Sequence, residues 1–209
     1  MKPSSHFWAG VRAEFPLLVG VFPFGLIYGT LALGAGISPG AGQAMSSVLF
    51  AGSSQFIAAQ LFGAGTPAGV IVLTAVVVNL RHALYSASVA PFIAHLSAPW
   101  KAILAYLLTD EAYATVITRY SQRGVQALTH WYFLGAGLGL WSCWQLSTAL
   151  GIFLGAQIPA AWALDFTLVV TFIALVVPAL GRPAPARGAT SAAVPAHRMR
   201  LIRRRWRPG

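Results

Sequence analysis

The sequence predicts an all-α integral membrane protein of about six transmembrane helices, some of them broken, with both termini in the cytoplasm. Three observations predict it. Charged residues make up 9% of the 209 and hydrophobic residues 57%, whereas a soluble domain carries roughly a quarter charged residues. The mean hydropathy is +0.69, too apolar for a chain that must cover itself with a water-compatible surface. The apolar residues also gather into stretches of about 20, the length that crosses a bilayer core. The acidic residues number four, Glu14, Asp110, Glu111 and Asp165. Each charge placed at the centre of such a helix costs about 2.5–3.5 kcal/mol on insertion scales, so its position is informative.

Six stretches qualify, roughly Phe15–Gly36, Gln43–Ala64, Ala68–Ile93, Trp100–Ile117, Tyr132–Leu154 and Ala163–Leu180. The first is too long for the core of a signal peptide and lacks a clear small-residue cleavage site, so it reads as a span. Pro39, Pro67, Pro99 and Pro159 fall in connections, where proline is expected. Trp8, Trp100, Trp131 and Trp162 fall near span ends, as an interfacial belt requires.

Loop charge sets the orientation. Lys2 and Arg12 flank the first span, Arg119 and Arg123 follow the fourth, and an arginine-rich tail follows the sixth. Six spans put all three clusters on the cytoplasmic side and leave only Lys101 opposite, as the positive-inside rule asks. The net charge of +10 is concentrated: eight of the 14 basic residues lie after Gly181. The chain therefore divides into a nearly neutral permease-like domain, residues 1–181, and a basic Pro/Ala/Arg-rich tail, residues 182–209. The tail lacks helical periodicity and reads as disordered. Its end, Arg198–Arg207, is a topology anchor or a contact for anionic lipid headgroups. A charge block of this kind argues poorly for nucleic-acid binding. The single cysteine, Cys143, excludes an internal disulfide and a multi-cysteine metal site.

The polar interruptions carry the functional signal. In the first span Pro23 lacks a backbone donor, so Pro23-Phe24-Gly25 is either a helix break open to a cavity or a packed kink. The second span carries Ser46 and Ser47, then Ser53, Ser54 and Gln55. Those groups serve either an interrupted helix and a polar ligand or interhelical hydrogen bonding. In the third, Asn79-Leu80-Arg81-His82 interrupts an apolar run, with Tyr85 and Ser86 beyond. On one continuous helix, Asn79, His82 and Ser86 share a face. The alternative is a short loop between two helices. The fourth span holds Thr109-Asp110-Glu111. Arg81 is the obvious partner for one of these carboxylates, since a buried arginine and a buried acid lower each other's cost. The other is free to meet a cation or a proton. Asp165 begins the last span, where it suits the positive end of a helix dipole.

Taken together, these segments resemble the AzlC family, the large subunit of branched-chain amino acid exporters. The matching pieces are Phe22-Pro23-Phe24-Gly25, Phe50-Ala51-Gly52-Ser53-Ser54-Gln55-Phe56, Asn79-Leu80-Arg81-His82-Ala83-Leu84-Tyr85 and Leu108-Thr109-Asp110-Glu111, in that order, within a likeness running from about Val11 to Leu180. The resemblance implies a bacterial inner-membrane permease that moves branched-chain amino acids, and in some members methionine, outwards. It also implies a small hydrophobic partner of the AzlD type. Members of the family continue beyond the position of Leu180 with further hydrophobic segments. Here the chain turns into Arg182-Pro183-Ala184-Pro185, which reads as a truncation, a frameshift or a divergent end.

These readings converge on a secondary transporter for a zwitterionic, apolar amino acid (valine, leucine, isoleucine or methionine), coupled to a proton or another ion. No phosphate-binding loop is present, so ATP does not drive it directly. Arg81 or the backbone amides near Gly52–Ser54 would take the substrate carboxylate. Asp110 or Glu111 would take the ammonium or a coupling proton, and His82 is a second proton candidate. Phe24, Phe56 and Tyr85 would line the alkyl pocket. The alternative is a truncated, non-transporting membrane subunit that acts only through a partner. An intramembrane hydrolase using Ser53 or Ser54 with His82 is disfavoured, because no nucleophile elbow is present. No cofactor is called for.

Overall fold

The computed structural model describes residues 2–124 and 128–157. They fall in the first of two units into which the chain divides, Met1–Pro178. The predicted sixth span, Asp165 and the basic tail lie outside the described residues. Those residues form seven helices and no strand: α1 (Pro3–Gly34), α2 (Pro39–Leu49), α3 (Gly52–Gly63), α4 (Ala68–Ile93), α5 (Ala98–Tyr106), α6 (Asp110–Arg123) and α7 (Thr129–Gly155). Three of them, α1, α4 and α7, are long and apolar enough to cross a membrane.

α1 and α7 form the frame. Along both, residue numbers rise together. Gly135 packs on Phe7, Gly139 on Val11, Ser147 on Gly25, Gly151 on Leu26 and Gly155 on Thr30. The two helices therefore run parallel, and glycines let their backbones touch. A methyl group on Gly29 would stand 2.5 Å from the Thr148 carbonyl oxygen. Small residues of this kind let membrane helices approach closely where no hydrophobic effect drives them together.

The second and fourth predicted spans are not single helices. α2 starts beside the C-terminal end of α1, with Gly42 against Ala32 and Ile152. It descends to mid-height, where Ser46 meets Thr148 at 3.1 Å. The chain then turns at Phe50-Ala51, with Phe50 in a left-handed conformation (φ 27°). α3 leaves from beside Trp144 and climbs back, so that Gly63 lies on Ala35. The pair is a hairpin of two half-helices. α4 then runs the full height antiparallel to α1, meeting α3 through Asn79 and Arg81 and ending beside Tyr120 through Phe92.

From that opposite end a second hairpin rises. Trp100 of α5 sits on His130 and Trp131 at the foot of α7. At mid-height Tyr106 accepts from Trp141 at 2.8 Å, and Leu107 packs on Gly137. α6 turns back from Asp110 beside Arg81 and descends to Arg119, which lies over the Tyr132 ring at 4.3 Å. Lys101, expected on the side opposite the arginines, is thus at the same end as Arg119.

The two halves repeat one pattern upside down. Each is a long helix, a four-residue connection (35–38 and 94–97) and a helical hairpin. Ser38 and Ser97 stand at equivalent N-cap positions, each followed by a proline in the first turn. Proline suits that turn because its missing N–H has no partner there anyway.

The helix boundaries correct one further expectation, the break at Pro23, and decide residues 79–82 in favour of the continuous helix. α1 stays helical through Pro16 and Pro23, so no break occurs at Pro23–Gly25. Gly25 faces not a cavity but α7, where a methyl group would stand 1.8 Å from the Ser147 hydroxyl. Residues 79–82 are not a loop but the middle of α4.

The parallel contact gives a test. Gly29→Val should lower the melting temperature of the detergent-solubilised protein, at a cost of about 1–3 kcal/mol for an overpacked site. Gly20→Ala, which meets nothing within 4 Å, should leave it unchanged or raise it. Equal responses would contradict close packing at Gly29.

Candidate functional site

The tips of both hairpins meet the middle of α4. Arg81 Nη2 donates to Ser53 Oγ at 2.9 Å, at the start of α3. Its Nη1 donates to Asp110 Oδ2 at 3.2 Å, at the start of α6. Asn79, half a turn earlier, accepts from the Ser54 hydroxyl. Arg81 alone therefore clamps both breaks, with Asn79 adding a second hold on α3. The pair is only partly covered, with Arg81 30% and Asp110 43% exposed.

The two half-helix starts differ in chemistry. The first backbone N–H groups of a helix have no intrahelical acceptor and carry the positive end of its dipole. At α3 the N-cap is Ala51, which has no side chain able to cap them. That end is open to an anion. At α6, Thr109 accepts from the Ala112 N–H at 3.4 Å, and Asp110 and Glu111 fill the first turn. That end is already over-compensated and presents negative charge.

Between these ends lies a cavity of about 460 Å³, within the range of small-molecule sites. Its polar end is Gly52, Ser53, Arg81, Thr109, Asp110 and Glu111. Its walls are mostly apolar: Val21, Phe24, Ile27 and Leu31 from α1, Phe50 and Phe56 from the first hairpin, and Leu140 and Trp144 from α7, with the Gln60 amide of α3 as the one polar interruption. Tyr28 backs these walls, stacked on Trp144 at 6.3 Å and edge-on to Phe56 at 6.1 Å, with its hydroxyl bonded to the Gly42 carbonyl at 3.0 Å. The site thus has a cationic seat, an anionic seat and a greasy chamber.

Of the residues expected at a site, the cavity brings together Arg81, Asp110, Glu111, Ser53, Phe24 and Phe56. Ser54 and Gln55 are fully buried and are not among the lining residues. His82 bonds the Asn79 carbonyl of its own helix through Nδ1 at 3.2 Å, and Tyr85 stacks on Tyr113 at 4.7 Å. Tyr85 belongs to the α4–α6 contact, His82 keeps to partners on its own helix, and neither lines the chamber. Leu140 and Trp144 were not foreseen as lining residues. Leu140 sits in an apolar run of α7, and Trp144 lies among Ser142, Gln145, Ser147 and Thr148, a polar cluster that the sequence reading did not single out. Among the described residues, no group of three or more His, Cys, Asp or Glu is placed to hold a metal ion.

Long apolar helices, paired helical hairpins and a solute-sized amphipathic chamber mark an α-helical membrane protein with a role in transport. The comparisons agree. The AzlC protein family model matches residues 16–158. The chain belongs to the AzlC family. It is 26% identical over 185 residues to the inner membrane protein YgaZ of Escherichia coli (strain K12), covering 86% of this chain and 75% of that protein. It is 29% identical over 184 residues to an uncharacterized membrane protein of Archaeoglobus fulgidus, covering 86% and 78%. It is 28% identical over 183 residues to the branched-chain amino acid transport protein AzlC of Bacillus subtilis (strain 168), covering 85% and 70%. No solved structure matches the chain.

The Arg81–Asp110 contact can be weighed directly. Arg81→Met strands a carboxylate and should lower the melting temperature. Adding Asp110→Asn should restore part of the loss, with a coupling of about 0.5–3 kcal/mol. Strictly additive losses would mean the two side chains do not interact.

Proposed function

We propose that the protein is a secondary permease that exports branched-chain amino acids across the cytoplasmic membrane, with valine, leucine and isoleucine as substrates and methionine as a further candidate. The observation that carries this is the bipolar end of the chamber. A free amino acid is neutral overall but presents one carboxylate and one ammonium a few ångströms apart. It can enter between Arg81 and Asp110 and give each a new partner. A lone anion or cation would leave one member of the pair without its countercharge, which is costly at low dielectric. The carboxylate goes to Arg81 and the free N–H groups at Gly52 and Ser53. The ammonium goes to Asp110 and Glu111, and the branched side chain lies among Phe24, Phe56, Leu140 and Trp144. The relative in Bacillus subtilis whose name specifies branched-chain amino acid transport points the same way.

In a bilayer, α1, α4 and α7 cross, and the two hairpins enter from opposite faces without crossing. Irregular backbone at membrane depth is tolerated only where it is buried in protein or lines a cavity, and both turns do so. The described connections at the upper end, 35–38, 64–67 and 156–157, carry no Lys, Arg, Asp or Glu. Lys2, Arg12, Lys101 and Arg119 gather toward the other end. That end is cytoplasmic by the positive-inside rule. Two inverted halves that each supply one tip suit alternating access, one tip yielding at a time. The AzlD-like small subunit belongs to the same reading, brought by the family.

Efflux assays test the substrate. Arg81→Ala should leave membrane insertion intact and reduce valine and leucine efflux about 10–100-fold, the loss expected for a charge-assisted contact. Normal efflux would remove Arg81 from the site. Running the assay with and without a small AzlD-like subunit separates a complete carrier from a subunit that needs its partner. Thiol labelling tests the topology. In a variant lacking Cys143, Ser38→Cys and Ala64→Cys should react from the periplasm, and Ser97→Cys should not. Labelling of positions 38 and 64 from opposite faces would restore a crossing at α2–α3.

A further inference from the structure

Glu14 is the acid that hydropathy leaves at the edge of the first span. In the structure it lies within α1, roughly 16 Å along the axis from Pro3 at 1.5 Å per residue. It is 0% exposed. Neither carboxylate oxygen makes a hydrogen bond of standard geometry. The polar side chains that act on it come from α6: the Thr115 hydroxyl and the Glu111 carboxylate. From α7, the stretch between Gly139 and Cys143 faces this part of α1 through Val11 and Leu18. The acid or base it brings is the Cys143 thiol, bonded to the Leu18 carbonyl at 3.7 Å. On α1 itself, Arg12 is exposed.

Among the described residues, no cation is placed to balance this carboxylate. An uncompensated buried charge is among the most expensive features a fold can carry, and its usual remedy is a proton. Thr115 and Glu111 are four residues apart on α6 and so share a face. Glu111 also lines the substrate chamber. The three groups thus form a short file from the chamber into the α1–α6 contact. We propose that Glu14 carries the coupling proton of the transport cycle and exchanges it with Glu111 through the Thr115 hydroxyl. The inference rests on the permease reading.

The transfer is balanced. The Thr115 hydroxyl gives its proton to the Glu111 carboxylate and takes the proton of the Glu14 carboxyl group. One proton and one negative charge are shared by the two acids before and after. When Glu111 holds the proton, it no longer pulls on a substrate ammonium. When Glu14 holds it, Glu111 is charged and the ammonium is held. Proton position and substrate occupancy are thereby linked without direct contact between Glu14 and the solute.

The test uses the full chain in proteoliposomes, with radiolabelled valine exchange and valine-driven proton flux read by an entrapped pH dye. Exchange needs no net proton movement. Glu14→Gln should keep exchange and lose proton flux by about 100-fold, the scale of removing a proton-transfer group. Its infrared spectrum should lack a neutral-carboxyl band that wild type shows. Unchanged proton flux overturns the proposal. So does joint loss of exchange and flux in a variant whose melting temperature matches wild type, since Glu14 would then serve shape or binding. Should Glu14→Gln not fold, Glu14→Asp decides. A neutral-carboxyl band that shifts between Asp and wild type and changes on adding valine supports the proposal, and no such band overturns it. Every arm is run with and without a small AzlD-like subunit; wild type without valine exchange in either sinks the permease reading and the proposal together, and the carboxyl band then tells whether Glu14 holds a proton at all.

Discussion

One guanidinium holds the architecture in register. Arg81 stands at the middle of the edge helix α4, bonded on one side to the tip of the hairpin from above and on the other to the tip of the hairpin from below. An arginine at this depth is costly unless its donors are used. Its planar fork reaches two acceptors in fixed directions, so one guanidinium serves both hairpin tips through Nη1 and Nη2, while its buried Nε is left without a partner. The partial exposure of the pair matters as much as the contact. It leaves the charges reachable from the chamber and avoids locking them in a dry ion pair.

The breaks and the cavity follow from one constraint. In a bilayer, every backbone N–H and C=O must find a partner inside the protein or in trapped water. A helix that stops at mid-height exposes such groups, so it can stop only against protein or beside a polar cavity. Here two helices stop, and their starts face the same chamber with opposite electrostatic character. α3 offers uncapped N–H groups, while α6 offers two carboxylates in its first turn. The glycine-lined contact of α1 with α7 forms the rigid wall against which both hairpins are set. Tyr28 and Trp144 at its centre fix the apolar side of the chamber.

Much of the site was legible in the sequence, and much of the topology was not. A lone arginine between apolar runs, with an acid pair in the next polar interruption, required that the two meet, and Arg81 and Asp110 do. Hydropathy could not tell a crossing from a hairpin, because two half-helices of 11 and 12 residues have the length of one span. The signals were local. Thr109-Asp110-Glu111 is a helix start set inside an apolar run, and Ser38-Pro39 and Ser97-Ala98-Pro99 are starts of the same kind. Pro23 misled because proline in a membrane helix can be absorbed by close packing, which Gly25 and Gly29 provide. Trp144 was missed, since the polar residues beside it on α7 do not mark which face an aromatic side chain will occupy. Glu14 was passed over because the span was drawn from the first unbroken apolar residue, whereas α1 begins twelve residues earlier, at Pro3.

The chemistry of the chamber also restricts the solute more tightly than its volume does. Both polar seats lie at one end, contributed by the hairpin tips and α4. The other walls offer mainly aliphatic and aromatic carbon, with the nearby Tyr28 hydroxyl already committed to the Gly42 carbonyl and Gln60 as the one polar side chain. A solute with a second charged end would set that charge against Phe24, Phe56 and Leu140 with no countercharge, at a cost of several kilocalories. A solute without a zwitterionic head would gain nothing from parting Arg81 and Asp110. The combination suits the proposed substrates, whose ammonium and carboxylate groups share one carbon and whose remainder is hydrocarbon. Because both seats also clamp the hairpins, binding at them changes the force that keeps the two tips together. In the proposed transport cycle, recognition and movement would be tied to the same three clamping groups, Ser53, Arg81 and Asp110, with Glu111 beside them.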